Sequence, residues 1–490
     1  MDEGSVGLAR KGGLGWGLTP DVAAATQGLI VSPFGHLEYG VALFLQLGAR
    51  GGGWLKRLRD VVAITDATKK VSPCAALAFS HAGLAQMNLD TEALASFSAP
   101  FSEGMFQEDR RRRLGDEDGA VVAGGPLWSG TDGGEASAGQ RVHALLLLYD
   151  DSEDKVRART DLAVESLTQD SVTVVRQTPL WLRTDAEGSQ EHFGFVDGVS
   201  QPVPHGGPVV SKAAAPDAYH AVAAGDVLIG YGNAHGEPAP GPVVNADAVE
   251  GAGLPQGNAP QGFVDLGLNG SYLVVRELRQ DVAKFWLSMD RAAAALGEGE
   301  VTADYVAERV VGRTRTGDPL ACKGVIAPQD GQPANAFGFL KDDAQGFGCP
   351  LGSHIRRANP RDSLAARPEW AQDLLHAANN HRILRRGRKF GPTIANPRID
   401  DGVERGLLFM ALNTDIVRQF EFIQQTWMLN PSFGNLFEET DPLTGPSGKF
   451  TMPRAPVRLR ADIESFVQVV GGEYFFLPSL PALDYLGMLT

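Results

Sequence analysis

The feature that most constrains the fold is a pattern of elements that occurs twice. Val142–Leu148 is a continuous apolar run, which reads as a strand buried on both faces. Asp154–Leu167 follows with helical spacing, and Ser171–Leu182 returns as a β-branched strand. Further along the order recurs. Ser271–Leu278 reads as a strand, and Val282–Leu296 as a helix with Phe285, Trp286 and Met289 on one face. After a long insertion come an apolar strand, Gly406–Leu412, an amphipathic helix, Ile416–Leu429, and a last strand, Tyr474–Leu480. Strand, helix and antiparallel-capable strand in that order are the ingredients of a split β-α-β sandwich. Two such layers, in an α+β fold, are the economical architecture for a chain of 490 residues.

The rest of the first part supplies matching pieces. Gln27–Leu47 is apolar and β-compatible, Trp54–Val62 has helical spacing, Ala75–Phe79 reads as a short buried strand, and Ala82–Leu94 is helix-like. Val203–Pro260 is dense in Gly, Pro and Ala with little periodicity, so the domain change is placed there. The expected division is 1–210 and 211–490.

Charge and cysteine usage exclude several functions. The net charge of −15 opposes non-specific nucleic-acid binding, which needs a positive footprint. Arg110–Arg113 is basic, but Asp116, Glu117 and Asp118 follow it, so a solvated surface segment is expected, with Gly115–Gly139 as a surface loop. Cys74, Cys322 and Cys349 are far apart and form no CxxC, which fits a reducing compartment rather than a disulfide framework or cysteine-cage zinc site. The start, Met1-Asp-Glu, shows no basic segment followed by an apolar one, and no apolar stretch is long enough to span a bilayer. A cytoplasmic protein with no membrane partner is expected. Homo-oligomerisation is left open.

The chemistry is concentrated in two places. Phe193-Gly-Phe-Val-Asp-Gly-Val-Ser-Gln-Pro202 sets one carboxylate, Asp197, between Gly194 and Gly198, with Phe193 and Phe195 as apolar flanks. Glycines there permit a close-approaching backbone, and the acid is either a turn residue or a working group. The second place is the insertion Ala334–Asp401, too long for an idle loop. It carries His354 after a glycine-proline loop and before Arg356, Arg357 and Arg361. Imidazole is a common axial ligand to haem iron, and guanidinium binds carboxylates such as propionates at two points. The bland reading is a helix start with a solvated basic face. Cys349 is the rival thiolate ligand, and a simple buried cysteine otherwise.

Gly194-Phe-Val-Asp-Gly198, Gly352-Ser-His-Ile-Arg356 with Asn359-Pro-Arg361, and Ile383-Leu-Arg-Arg-Gly387 together resemble the dye-decolourising peroxidase family. Gln27-Gly-Leu-Ile30, Gly270-Ser-Tyr-Leu-Val-Val-Arg276, Gly312-Arg-Thr-Arg315 and Gly406-Leu-Leu-Phe409 extend the likeness over most of the chain. The resemblance implies two ferredoxin-like domains, haem b (iron protoporphyrin IX) in the C-terminal one, and hydrogen peroxide with a small-molecule reducing substrate as partners. Asp197 matches the distal acid-base and Arg385 the distal arginine, with Arg386 and Arg388 as rivals. His354 matches the proximal iron ligand, and Arg356 and Arg361 would meet the propionates. Asp415 is expected to accept from His354, against the plain alternative of a helix N-terminus. Phe409, with Leu407 or Leu408, would wall the haem or simply pack in the core. His192 and His381 are alternative distal bases. A protein that releases iron from haem, or carries haem without turnover, is the competing function.

Overall fold

The computed structural model describes residues 16–48, 50–68, 72–116, 141–182, 190–211, 216–249, 253–297, 299–322 and 335–490. The expected loop Gly115–Gly139 lies outside them from residue 117 onward. The first half holds strands β1 (Tyr39–Leu47), β2 (Cys74–Phe79), β3 (Ala144–Asp150) and β4 (Val172–Trp181), with helices α1 (Gly53–Val61) and α2 (Glu153–Gln169). The second holds β5 (Ser271–Gln280), β6 (Leu384–Arg385), β7 (Arg388–Phe390) and β8 (Gly406–Asn413). A hairpin of β9 (Gly448–Arg454) and β10 (Val457–Ile463) follows, then β11 (Val467–Leu477). Its helices include α3 (Val282–Leu296), α4 (Ala303–Val311) and the short α5 (His354–Ala358).

Both halves use one antiparallel plan. In the first, β1 lies between β3 and β4, and β2 flanks β3. In the second, β5 lies between β8 and β11, and β6 and β7 flank β8. Each sheet therefore runs fourth, first, third, second in chain order, the ferredoxin-like arrangement. The two join edge to edge, Phe476 opposite Phe79 and Lys389 opposite Trp181, as one nine-stranded sheet among the described residues. The boundary expected near residue 210 falls inside a short strand, Val209–Ser211, that pairs back with Trp16–Leu18.

The apolar runs are explained by double burial. Phe44, Leu145 and Leu147 of the first sheet meet Leu273, Leu408 and Phe475 of the second in a shared inner core. On the outer face of the first sheet, Leu43, Leu45 and Leu146 are covered by Trp54 and Leu58 of α1 and Leu167 of α2. Each such side chain contributes about 1.5–3 kcal/mol by leaving water. The outer face of the second sheet starts the same way, with Tyr272 under Phe101, and then opens. Arg276, Leu278 and Gln280 on β5, Leu407 and Phe409 on β8, and Val467 on β11 face a cavity instead of a helix.

Several local expectations are corrected. Arg110 is not solvated: it is 6% exposed, bonds both oxygens of Glu421 and reaches Glu103. The span Ala82–Leu94 breaks at Asn88 (φ 63°), and Asp90 caps a second helix. Within Gln27–Leu47 only β1 is a strand; Gly28–Val31 is helical, and the Gln27 side chain pins it to Leu77. The expected helix Ile416–Leu429 is wound wide, with Glu421 N donating to Ile416 O and Leu429 N to Gln424 O, five residues apart. The last strand begins at Val467 and stops at Leu477, before Ser479 caps a final helix.

Candidate active site

The cavity measures about 640 Å³, within the range of sites that hold substantial ligands. One wall is the Asp197 loop. Gly194 and Gly198 both have positive φ, 93° and 75°, and a Cβ on Gly194 would stand 2.6 Å from the Arg315 guanidinium. Phe193 anchors the loop by stacking on Phe285 of α3, centroids 4.3 Å apart. Asp197 Oδ1 accepts from Gly198 N at 2.6 Å and from Arg385 Nη1 at 3.1 Å. Arg385 is itself held: its Nη2 donates to Ser200 O and its backbone N to Gln201 Oε1.

Strand alternation decides among the arginines. Arg385 turns to the cavity, so Arg386 turns away and donates to Leu29 O and Ile30 O. Arg388 donates to Leu37 O and Phe34 O beneath the first half and stacks over Tyr149. Both fasten the two halves together.

His354, at the start of α5, also lines the cavity. Its Nδ1 lies 3.0 Å from Oδ2 of Asp441. Burial pushes the Asp441 carboxyl up, but His354 and the Thr444 backbone N–H outweigh it and hold the group below the usual range. An Nδ1–H donating to this carboxylate leaves Nε2 as the ring's available lone pair.

This corrects the expectation for Asp415. That residue caps the start of the wide helix, accepting from Arg418 N at 3.0 Å, and does not line the cavity. The helix-terminus alternative holds because Asp415 stands just before Ile416, the N-cap of a helix that begins at Val417, and accepts from Arg418 N in its first turn. Arg356 is also corrected: it does not line the cavity, and its guanidinium donates to Asp343 O and Cys349 O and stacks on the lining residue Phe339. Arg357 is spent on Trp427 O and Glu439 O.

The remaining rivals separate cleanly. Cys349 is buried away from the cavity, and burial pushes its thiol up to about 11. His192 bonds Phe390 O at 2.9 Å, and burial lowers it to about 4. His381 stacks flat on Phe422, centroids 3.7 Å apart, and bonds Arg418 O. Neither histidine lines the cavity. Leu407 and Phe409 do, whereas Leu408 is fully buried in the inner core.

The lining suits a flat apolar group that carries carboxylates. Arg313, Arg361 and Arg382 are all buried at the cavity wall; they donate to Gly317 O, Phe337 O and Tyr219 O, and among the described residues no carboxylate pairs with them. Burial, reinforced by neighbouring guanidinium groups, brings Arg361 down to about 9 and Arg313 and Arg382 to about 10. Anionic groups against them would relieve that cost. Leu278, Leu407, Phe409 and Val467 offer the apolar surface, and His354 an imidazole nitrogen for a metal at its centre. Haem fits this set. Sequence reasoning missed Asp441, which comes from a loop 87 residues beyond His354. It also missed Arg382, and assigned no role to Arg313 although Gly312-Arg-Thr-Arg315 stood out as a segment.

No protein-family model matches the chain. It is similar to "Multifunctional dye peroxidase DyP2" of an Amycolatopsis species, 32% identical over 365 residues, covering 71% of this chain and 72% of that protein. It is also similar to "Peroxidase 2" of Mycetinis scorodonius, 29% identical over 445 residues, 83% of this chain and 75% of the relative. The solved structure of DyP2 from Amycolatopsis superimposes with a TM-score of 0.69 at 25% identity, over 96% of this chain and 99% of that one. The DyP-type peroxidase of Anabaena gives 0.72 at 23% identity, over 96% and 95%, and speaks for the fold alone.

Proposed function

The chain belongs to the dye-decolourising peroxidase family, and on that premise we propose how its own residues carry out a haem peroxidase reaction, with hydrogen peroxide as oxidant and dyes or phenolics as donors. Haem, when bound, supplies the iron at which peroxide is cleaved and the oxidising equivalents that one-electron donors discharge. His354 would hold it through Nε2, oriented by Asp441, and Arg361, Arg313 and Arg382 would meet its carboxylates. A b-type haem without covalent attachment is supported by the lining, which contains no cysteine among the described residues. Asp197 takes a proton from one peroxide oxygen and returns one to the other, which leaves as water. Arg385 stabilises the negative charge that develops as the proton leaves and the O–O bond breaks.

The observation that carries this reading is the Asp197–Arg385 contact in the same cavity that His354 lines. A carrier, or a protein that only strips iron, has no use for an acid-base held against a fixed cation. Stopped-flow absorbance after one equivalent of peroxide is the test. Arg385→Leu should slow the peroxide-dependent spectral change on the order of 100- to 1,000-fold. A wild-type rate in both Arg385→Leu and Asp197→Asn would defeat the assignment.

Three broader proposals accompany it. Residue 210 stays the proposed domain boundary, because β1 to β4 precede it and β5 to β11 follow. A cytoplasmic location rests on the few scattered cysteines; no described helix is long and apolar enough to cross a membrane. The net charge of −15 supports small-molecule rather than nucleic-acid partners.

A further inference from the structure

We propose that Glu191 is the positioning residue that sets the Asp197 loop against Arg385, a role that rests on the function assigned above. The loop is wrapped around this one side chain. Glu191 Oε2 accepts from Phe193 N at 2.9 Å and from Gln280 Nε2 at 2.7 Å, while Oε1 accepts from Phe195 N at 3.0 Å. Its backbone closes the same turn, with Glu191 N donating to Phe195 O at 2.8 Å and Gly194 N to Glu191 O at 2.9 Å. Gln280 belongs to β5, so the carboxylate ties the catalytic loop of the first half to the cavity-facing strand of the second.

Three donors converge on two oxygens, an arrangement only a carboxylate satisfies. A carboxamide would turn its NH₂ toward Phe193 and Gln280 or toward Phe195, setting donor against donor in a largely buried place. Since both oxygens are engaged, Glu191 is not free to shuttle protons, and its effect on chemistry passes through the position of Asp197. Removing it from water raises its pKa to about 6, against the opposing backbone N–H bonds, and the charge of Asp197 adds to the rise. The other charged groups around it are arranged as follows. His192 is next in the chain and sits on Phe390 O, near Lys389 and Arg405. Lys389 Nζ donates to Gln190 O, and Arg315 donates to Gly194 O. Arg385 engages Asp197 itself. Below about pH 6 the added proton weakens the acceptors on which Phe193 and Phe195 hang, and the loop loosens.

The test uses the haem-loaded protein, Glu191→Gln and Gln280→Leu. Hydrogen-exchange mass spectrometry reads the amides of residues 193–195, and stopped flow reads the peroxide step from pH 4.5 to 8. Glu191→Gln should bind haem normally, expose those amides to faster exchange, and slow the peroxide step on the order of 10- to 100-fold at neutral pH. It should also lose the limb near pH 6 that the wild type shows. Gln280→Leu deletes one donor, so its limb should move to higher pH with a milder loss of rate, which keeps the test decisive if Glu191→Gln fails to fold. Wild-type exchange, or a wild-type pH profile, in whichever of the two variants folds overturns the proposal. Asp197→Asn, run alongside, reports on the acid-base assignment separately, because amide exchange at 193–195 does not depend on the chemistry.

Discussion

The first strand of each half occupies the same place in the same sheet order, yet the two present opposite outer faces. On β1 the outward positions are Val41, Leu43, Leu45 and Leu47, all packed under helices. On β5 they run Tyr272, Val274, Arg276, Leu278 and Gln280, packed at the start and open to the cavity thereafter. One backbone plan thus makes a closed core in the first half and a ligand-sized hollow in the second. The difference lies in where the covering helix is withheld and in which polar groups replace its aliphatic contacts. Those groups need partners, because an unpaired polar atom inside a fold is costly. Arg276 has Asp116 and Gln280 has Glu191. Both partners come from the first half, so the open face of one half is completed by the other.

If the outer face of the second sheet is the haem face, the largest break in the comparison comes from the residue facing it. His354→Ala should purify with little haem, or with a spectrum lacking histidine ligation, while urea unfolding of the haem-free protein stays close to wild type. Full loading with an unchanged spectrum would remove His354 from the role and the cavity from its assigned purpose.

A second effect sits at the seam between the halves. His192, only 8% exposed, hangs from β7 through Phe390 O and is lowered from 6.5 to about 4 by burial. It is therefore folded in as the neutral ring. A depressed folded-state pKa gives stability that is complete above pH ~6.5 and is lost as pH falls toward 4, up to about 3 kcal/mol from this shift. Glu191, raised from 4.5 to about 6, works in the opposite sense between those values. The informative quantity is the difference between wild type and His192→Gln in urea midpoint across pH 4 to 7. That difference should change steadily below pH 6.5, and a flat difference would show that the seam does not hold a buried neutral imidazole.

Much of this was legible in the chain. β3, α2, β5, α3 and β8 are readable because their burial is regular, with continuous apolar runs where both sheet faces are covered, and β4 because it is rich in β-branched residues. The loop around Asp197 was legible because Gly194 and Gly198 are there for their positive φ. What escaped was decided by long-range packing. Arg356, Arg357 and Arg361 look equivalent in sequence, and all three donate to backbone carbonyls, but only Arg361 lies at the cavity. Asp415 had the better sequence neighbourhood, yet Asp441 reaches His354 from a loop that carries no distinguishing pattern. Arg110 looked solvated because its partner Glu421 is distant in sequence. The hairpin of β9 and β10 does carry a sequence signal, since Phe450, Met452, Leu459 and Ala461 alternate as a half-buried pair of strands should.

The sharpest form of the comparison needs two neighbouring residues. Leu407 and Leu408 are adjacent on β8, so the pleat sends them to opposite faces. Leu408 is 0% exposed among Leu273, Met410 and Phe475 in the inner core shared by both halves. Leu408→Ala should cost about 2–5 kcal/mol, with or without haem, as a closed cavity in packed surroundings does. Leu407 instead borders the hollow. In the haem-free protein much of its surface has no packing partner to lose, so Leu407→Ala should cost only about 1 kcal/mol. With haem bound the same substitution removes apolar contact from the ligand, and haem transfer to an acceptor protein should quicken several-fold. Urea unfolding of both variants, each measured with and without haem, separates the two cases. An equal cost for the two leucines in the haem-free protein would mean that the outer face of the second sheet is packed as tightly as that of the first, and the contrast between the halves would fail.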